Sequence, residues 1–169
     1  MQTKQILVVE DHAPLRAAIQ MLLEREGYRV TTAADGNDGI LAMTAVLPDL
    51  IVADIGMPGM NGYEFYESVR AKPAWNTIPF VFLTARAERE DILKGKSLGA
   101  EEYLTKPLDP EELLVVVRAR LARSESIRVN MEAELDVLKS HIVAALSHEL
   151  RTPLTWIMAY TELVVQYVR

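Results

Sequence analysis

Three short apolar runs and two weaker, more polar ones divide the first hundred or so residues, and between them apolar positions recur at three- and four-residue spacing. Ile6–Val9, Val30–Ala33, Leu50–Ala53, Phe80–Leu83 and Glu102–Leu104 read as strands. Leu15, Ile19, Leu22 and Leu23 form one helical stripe ending at Gly27. Ile40, Met43, Val46 and Leu47 form a second, ended by Pro48. Tyr63, Phe65, Tyr66 and Val69 form a third, and Glu88–Ser97 a fourth that stops at Gly99. Strands alternating with helices of this length predict an α/β domain: a doubly wound, five-stranded parallel sheet covered on both faces. Strands one, three and four are the most apolar and belong at its centre. The aromatic residues Tyr63, Phe65, Tyr66, Trp75 and Phe82 read as packing rather than as a ligand site.

The pattern changes after Asp109-Pro110-Glu111-Glu112, where a proline at a first helical turn is followed by acidic residues. No glycine or proline interrupts the chain from Glu111 to His148. Leu114, Val117, Leu121, Ser124, Arg128, Met131, Leu135, Leu138, Ile142 and Ala145 are spaced alternately three and four apart, a heptad seam that is weak at Ser124 and Arg128. The first part can pack on the sheet. From about Ser124 onward the stripe predicts a parallel two-stranded coiled coil with a second copy of the chain. The apolar spacing then shifts to Leu146, Leu150, Leu154 and Ile157, consistent with a wider bundle. Pro153 should kink or loosen the helix one turn before it.

Composition narrows this picture without redirecting it. The 169 residues carry a formal charge of −6, which gives no reason to expect nucleic acid or an anionic membrane as partner. There is no cysteine, so disulfides, thiolate metal sites and cysteine nucleophiles are excluded. Neither a signal peptide nor a run long enough to cross a bilayer is present, and the expected location is cytoplasmic.

Candidate chemistry collects where the strands end. Glu10 and Asp11 follow strand one, Asp54 strand three, Thr84 strand four and Lys106 strand five, and in a parallel sheet these ends share one edge. Three carboxylates on one edge repel one another unless a hard cation such as Mg²⁺ neutralises them. A lysine compensates further charge and a threonine hydroxyl can donate to an anionic ligand. Asp54 in that company suits a nucleophile for phosphoryl transfer, where the work is positioning and neutralisation. Any one of these residues alone would read as a cap or a solvated side chain; the joint occurrence favours function.

The stretches Ile6-Leu-Val-Val-Glu-Asp11, Asp54-Ile-Gly-Met-Pro-Gly-Met-Asn-Gly62, Leu83-Thr-Ala85 and Gly99-Ala-Glu-Glu-Tyr-Leu-Thr-Lys-Pro107 resemble those of response-regulator receiver domains over residues 4 to about 122. The resemblance implies a flavodoxin-like fold with Asp54 as phosphoacceptor and Mg²⁺ held by Glu10, Asp11, Asp54 and the backbone carbonyl of Gly56. Thr84 and Lys106 would contact the phosphoryl oxygens, and Tyr103 would be the aromatic switch. Gly56 is smaller than the residue the family often has there, which thins the wall beside an attacking water.

A second constellation, Ser147-His-Glu-Leu-Arg-Thr-Pro-Leu154, lies in the long helix. His148 falls one residue outside the 142, 146, 150 stripe and should face water, with Glu149 beside it and Thr152 one turn on. From about Leu138 to Val168 the chain resembles the first helix of the dimerisation and phosphoacceptor domain of histidine kinases. That resemblance implies autophosphorylation on His148, an acid/base role for Glu149, a phosphatase role for Thr152 and a helix-loosening role for Pro153. The expected organisation is a receiver over residues 1–122, a linker helix over 123–140 and an incomplete phosphoacceptor helix over 141–169. With no ATP-binding domain in the sequence, the chain is not expected to act as a kinase alone.

The receiver stands where a sensory domain would, so the reading is an Mg-dependent input to a dimeric histidine kinase. An upstream histidine kinase or phosphotransfer protein would be the donor and a downstream response regulator a possible acceptor. The alternative is a phosphorylation-controlled dimerisation or docking module without kinase output. A DNA-binding regulator is disfavoured, because nothing after residue 123 resembles a compact basic recognition module.

Overall fold

In the computed structural model the described residues are 3–85 and 102–167, with the side chains of residues 148, 152, 156, 159, 160 and 162–167 outside the description. The helix expected over Glu88–Ser97 and its stop at Gly99 fall outside the described residues. The chain divides into two units, Met1–Ser124 and Glu125–Arg169, each described by itself.

The first unit contains β1 (Gln5–Val9), α1 (Ala13–Arg25), β2 (Arg29–Ala33), α2 (Gly36–Ala45), β3 (Leu50–Asp54), α3 (Gly62–Arg70), β4 (Phe80–Ala85) and β5 (Glu102–Lys106). A last helix, α4, spans Pro110–Tyr167. The strands form one parallel sheet in the order β2-β1-β3-β4-β5, which puts the three most apolar strands in the middle, as the sequence predicts.

Successive side chains of a strand face opposite sides of the sheet, and each face is covered by helices. Leu7, Val9, Ile51, Ala53, Phe80 and Phe82 join one core with Met43 of α2 and Phe65 and Val69 of α3. Ile6, Val8, Leu50, Val52, Val81 and Leu83 join the other with Ile19 and Leu23 of α1 and Leu113, Val117 and Leu121 of α4. The aromatic residues pack as expected: Tyr66 meets Phe80 edge-on with ring centres 5.1 Å apart, and Trp75 is buried in the first core.

Two details differ from the sequence expectation. The α2 helix stops at Ala45, and Val46 turns extended (φ −143°, ψ 122°) on the approach to Pro48, so Val46 and Leu47 lie on the surface instead of extending the helical stripe. The sheet-facing stripe of α4 begins at Leu113, one residue before the Leu114 that the heptad count selects, because packing on a sheet favours the i, i+4, i+8 line Leu113, Val117, Leu121. Helix α4 continues through Pro153, which has no N–H to donate to the Glu149 carbonyl. The Gly27 stop of α1 is as expected, with Gly27 at φ 88°, a conformation that favours glycine.

Within the second unit the seam residues Met131, Leu135, Leu138, Ile142, Leu146, Leu150, Leu154 and Ile157 are all exposed on the single chain.

Candidate functional site

Parallel pairing brings the acidic residues together. Val9 stands opposite Ala53 and Asp54 opposite Leu83, so Glu10 and Asp54 leave adjacent strands at one level. Glu10 is fully buried and Asp54 nearly so, while Asp11 is exposed at the rim. One carboxylate oxygen from each of the three lies within 4.8 Å of the others. Oxygen-only donors at that spacing, two held in the protein and one open to water, fit a hard, partly hydrated cation, and the cluster is of the magnesium-binding kind.

Lys106 reaches the cluster from β5. Its Nζ donates to Glu10 Oε2 at 2.8 Å and pairs with Asp54 Oδ1 at 3.0 Å, so one ammonium bridges two buried carboxylates. Burial works to lower the Lys106 pKa, but hydrogen bonds to Glu10 and Asp54 and their charges outweigh it and hold the pKa above the ordinary lysine value. Glu10 moves up as well. Its burial is the largest cause, with the Asp54 charge adding to it and the bonds from Lys106 and the His12 amide opposing it.

The sign of this shift sets a pH dependence. A carboxyl whose folded pKa is raised costs the metal-free fold stability as pH rises from the ordinary value of 4.5 through the raised one. Mg²⁺ binds the deprotonated form, so its affinity is expected to fall as pH drops through that raised pKa, at a higher pH than an ordinary carboxylate would dictate. Calorimetric Mg²⁺ titrations across mildly acidic pH check this; an affinity that stays flat down to pH 4.5 contradicts it.

Thr84 is fully buried in β4, with its hydroxyl donating to the Ala85 carbonyl at 3.1 Å. Asp54, Thr84 and Lys106 are members of their strands rather than residues following them, because pairing continues to Asp54↔Leu83, Thr84↔Thr105 and Ala85↔Lys106. Tyr103 stacks on Phe82, ring centres 5.1 Å apart and planes 18° apart, and packs against the first core. Gly56 is exposed in the loop after β3. The structure thus brings Glu10, Asp11, Asp54 and Lys106 together. The backbone of His148, Glu149 and Thr152 lies in α4 within the second unit, where Glu149 is exposed; the side chains of His148 and Thr152 are outside the described residues.

Two supports escape a sequence reading. Gly62, the first residue of α3, donates to the Ile55 carbonyl at 3.0 Å and sits so close behind the site that a Cβ there would stand 2.3 Å from the Asp54 carbonyl oxygen. The cap just before it fixes that approach: Asn61 Oδ1 accepts from the Tyr63 and Glu64 amides, and the Asn61 amide donates to Glu64 Oε2. The pair Asn61-Gly62 followed by Glu64 carries this signal in the sequence. The second support, Arg16, belongs to the Glu10-Asp11 turn and has no such local signature.

Among the described residues no helix is long and apolar enough to cross a membrane.

The model of the response regulator receiver domain matches residues 6–118, and that of the His Kinase A (phospho-acceptor) domain matches residues 138–166. The chain is 36% identical over 146 residues to the phosphate regulon transcriptional regulatory protein PhoB of Escherichia coli, covering 84% of this chain and 64% of that protein. It therefore spans less than two thirds of that relative's length. Among solved structures, the chemotaxis response regulator CheY4 of Vibrio cholerae superposes with a TM-score of 0.65 at 33% identity, covering 70% of this chain and 98% of that one. The signal receiver domain of a signal transduction histidine kinase from Syntrophus aciditrophicus gives 0.62 at 29% identity, covering 73% and 91%. With its five-stranded parallel sheet, its acidic cluster and these matches, the chain belongs to the response regulator receiver domain family of two-component systems, and it continues into the start of a His Kinase A phospho-acceptor domain.

Proposed function

We propose that the receiver is the regulatory input of a dimeric histidine kinase, with Asp54 as its phosphoacceptor and His148 as the phosphoacceptor of the kinase. The observation that carries this reading is the meeting of Glu10, Asp11, Asp54 and Lys106 in a chain whose residues 138–166 match a kinase phospho-acceptor domain. An Asp54 carboxylate oxygen attacks the phosphorus of a phosphohistidine on an upstream kinase or phosphotransfer protein. The new O–P bond forms as the P–N bond breaks, and the electron pair stays on the donor imidazole. Glu10, Asp11, Asp54 and the Gly56 carbonyl would hold Mg²⁺, which when bound would supply neutralising charge for the transferring group. Lys106 exchanges its carboxylate contacts for a phosphoryl oxygen, and Thr84 donates to another.

Strand β5 supplies the route outward. Lys106 stands at its site end, and at its other end Tyr103 stacks on Phe82 and Glu102 is ion-paired with Arg120 of α4, beside the buried Leu121. A change at Lys106 and Thr84 is thereby felt at Tyr103 and at the helix that leads from the receiver (1–122) through a linker (123–140) to the phosphoacceptor segment (141–169). The output is the presentation of His148, with Glu149 as its acid/base neighbour and Thr152 serving phosphatase action. The helix pairs with a second copy through its exposed seam, and a downstream response regulator takes phosphate from His148. The docking-module alternative shares the receiver chemistry and differs only in having no kinase output.

The test is phosphorylation of this chain by acetyl phosphate with Mg²⁺, followed by peptide mass analysis. One phosphoryl group on the Asp54 peptide, dependent on Mg²⁺, is expected; labelling elsewhere or without Mg²⁺ overturns the reading. When a histidine kinase catalytic domain and ATP are added, a His148 labelling rate that depends on Asp54 phosphorylation supports the input role, and an unchanged rate favours the docking module.

A further inference from the structure

Every polar group of Glu10 is engaged. Its amide donates to the Ala33 carbonyl at 3.1 Å, Oε1 accepts from the His12 amide at 3.1 Å, and Oε2 accepts from Lys106 at 2.8 Å. Its carbonyl accepts from Arg16 Nη1 at 2.5 Å, and the same nitrogen reaches the carbonyl of Asp11 at 3.3 Å. Arg16 is half-buried in the first turn of α1, with its own amide bonded to the His12 carbonyl at 3.0 Å. One guanidinium on a helix therefore holds two consecutive main-chain carbonyls, those of the two residues whose carboxylates meet Asp54.

Planar peptides make this consequential. Fixing the carbonyls of Glu10 and Asp11 fixes the orientation of the peptide planes that follow their Cα atoms, and so narrows the directions in which the two side chains leave the backbone. A flexible turn carrying Glu10 and exposed Asp11 would have to be ordered when the cation arrives, at a cost in affinity. Arg16 meets that cost during folding. Its hydrogen bonds go to backbone oxygens and leave the carboxylate oxygens free for the cation and Lys106.

We infer that Arg16 is a positioning residue of the metal site, acting through the Glu10 and Asp11 backbone to preorganise their carboxylates for Mg²⁺. The inference rests on the reading of Glu10, Asp11 and Asp54 as the magnesium site. Supports of this kind around metal ligands change affinity by about 10- to 100-fold when removed. A lysine keeps the charge at position 16 but lacks the reach and the rigid guanidinium plane that set Nη1 between the two carbonyls.

The experiment is calorimetric Mg²⁺ titration of the metal-free chain, wild type against Arg16→Gln and Arg16→Lys, paired with the Mg²⁺ dependence of labelling by acetyl phosphate. Both variants are expected to bind Mg²⁺ about tenfold more weakly or worse, and to raise the half-saturating Mg²⁺ concentration for labelling by the same factor, with the rate recovered at saturating Mg²⁺. Their melting in chelator should stay close to wild type. Unchanged Mg²⁺ affinity in Arg16→Gln, or full affinity in Arg16→Lys, overturns the inference. A wild-type chain that takes up no Mg²⁺ would instead overturn the magnesium reading on which it rests.

Discussion

Replacing Asp54 with asparagine is expected to abolish phosphoryl acceptance while making the metal-free chain slightly more stable. The loss is complete because asparagine has the shape of aspartate but no carboxylate oxygen to attack phosphorus, and neither Glu10, pinned by His12 and Lys106, nor exposed Asp11 occupies its place. The gain has an electrostatic origin. Asp54 feels one ammonium at 3.0 Å and two carboxylates within 4.8 Å in a largely buried setting. Burying its charge costs desolvation and the carboxylates repel it, against the pull of one ammonium. The Asp54→Asn chain in chelator should therefore be slightly more stable than wild type, and its melting temperature should respond less to added Mg²⁺. Retained labelling by acetyl phosphate, or a metal-free chain clearly less stable than wild type, would contradict this account of the site.

The sheet was legible in the sequence because parallel strands buried on both faces are written as unbroken apolar runs. Ile6–Val9, Leu50–Ala53 and Phe80–Leu83 sit as predicted in β1, β3 and β4, at the centre of the sheet. The acidic cluster was legible for a related reason: a carboxylate that follows such a run has no packing role. Legibility failed where tertiary contacts decide. The end of α2 was misplaced because Val46 and Leu47 continue its apolar spacing, while Pro48 forces the preceding backbone extended. In α4 the heptad count selected Leu114 over the fully buried Leu113, since a seam between helices and a stripe against a sheet favour different lines on one helix. Arg16 was invisible because it acts on main-chain oxygens, whereas sequence patterns report side-chain chemistry; the close approach of Gly62 showed only indirectly, through the cap formed by Asn61 and Glu64.

The second large effect concerns pairing of the long helix. On a single chain Leu135 and Leu138 are 49% and 55% exposed, and they are neighbours on the heptad seam. Full burial of a leucine is worth about 1.5–3 kcal/mol, so covering the exposed half of four such side chains in a dimer is worth about 3–6 kcal/mol. Leu135→Asp with Leu138→Asp removes that gain and sets carboxylates against one another, so the dimer should weaken by about a hundredfold or more. In a parallel, in-register pair Glu134 would face the partner's Lys139, which favours that alignment over its alternatives. Arg128 interrupts the same seam, and on its own helix its guanidinium is held by Glu125 and by Glu132, the latter at 2.7 Å. Arg128→Leu should therefore tighten the dimer, by about tenfold if one desolvated polar layer is relieved. Sedimentation of the three chains over a range of concentrations reads both effects, with melting of the receiver in chelator as the control that neither change disturbs the sheet. Equal association of all three chains would mean that this seam is not where two copies meet; a dimer lost in the double aspartate variant but unchanged by Arg128→Leu would keep the seam and remove Arg128 from it.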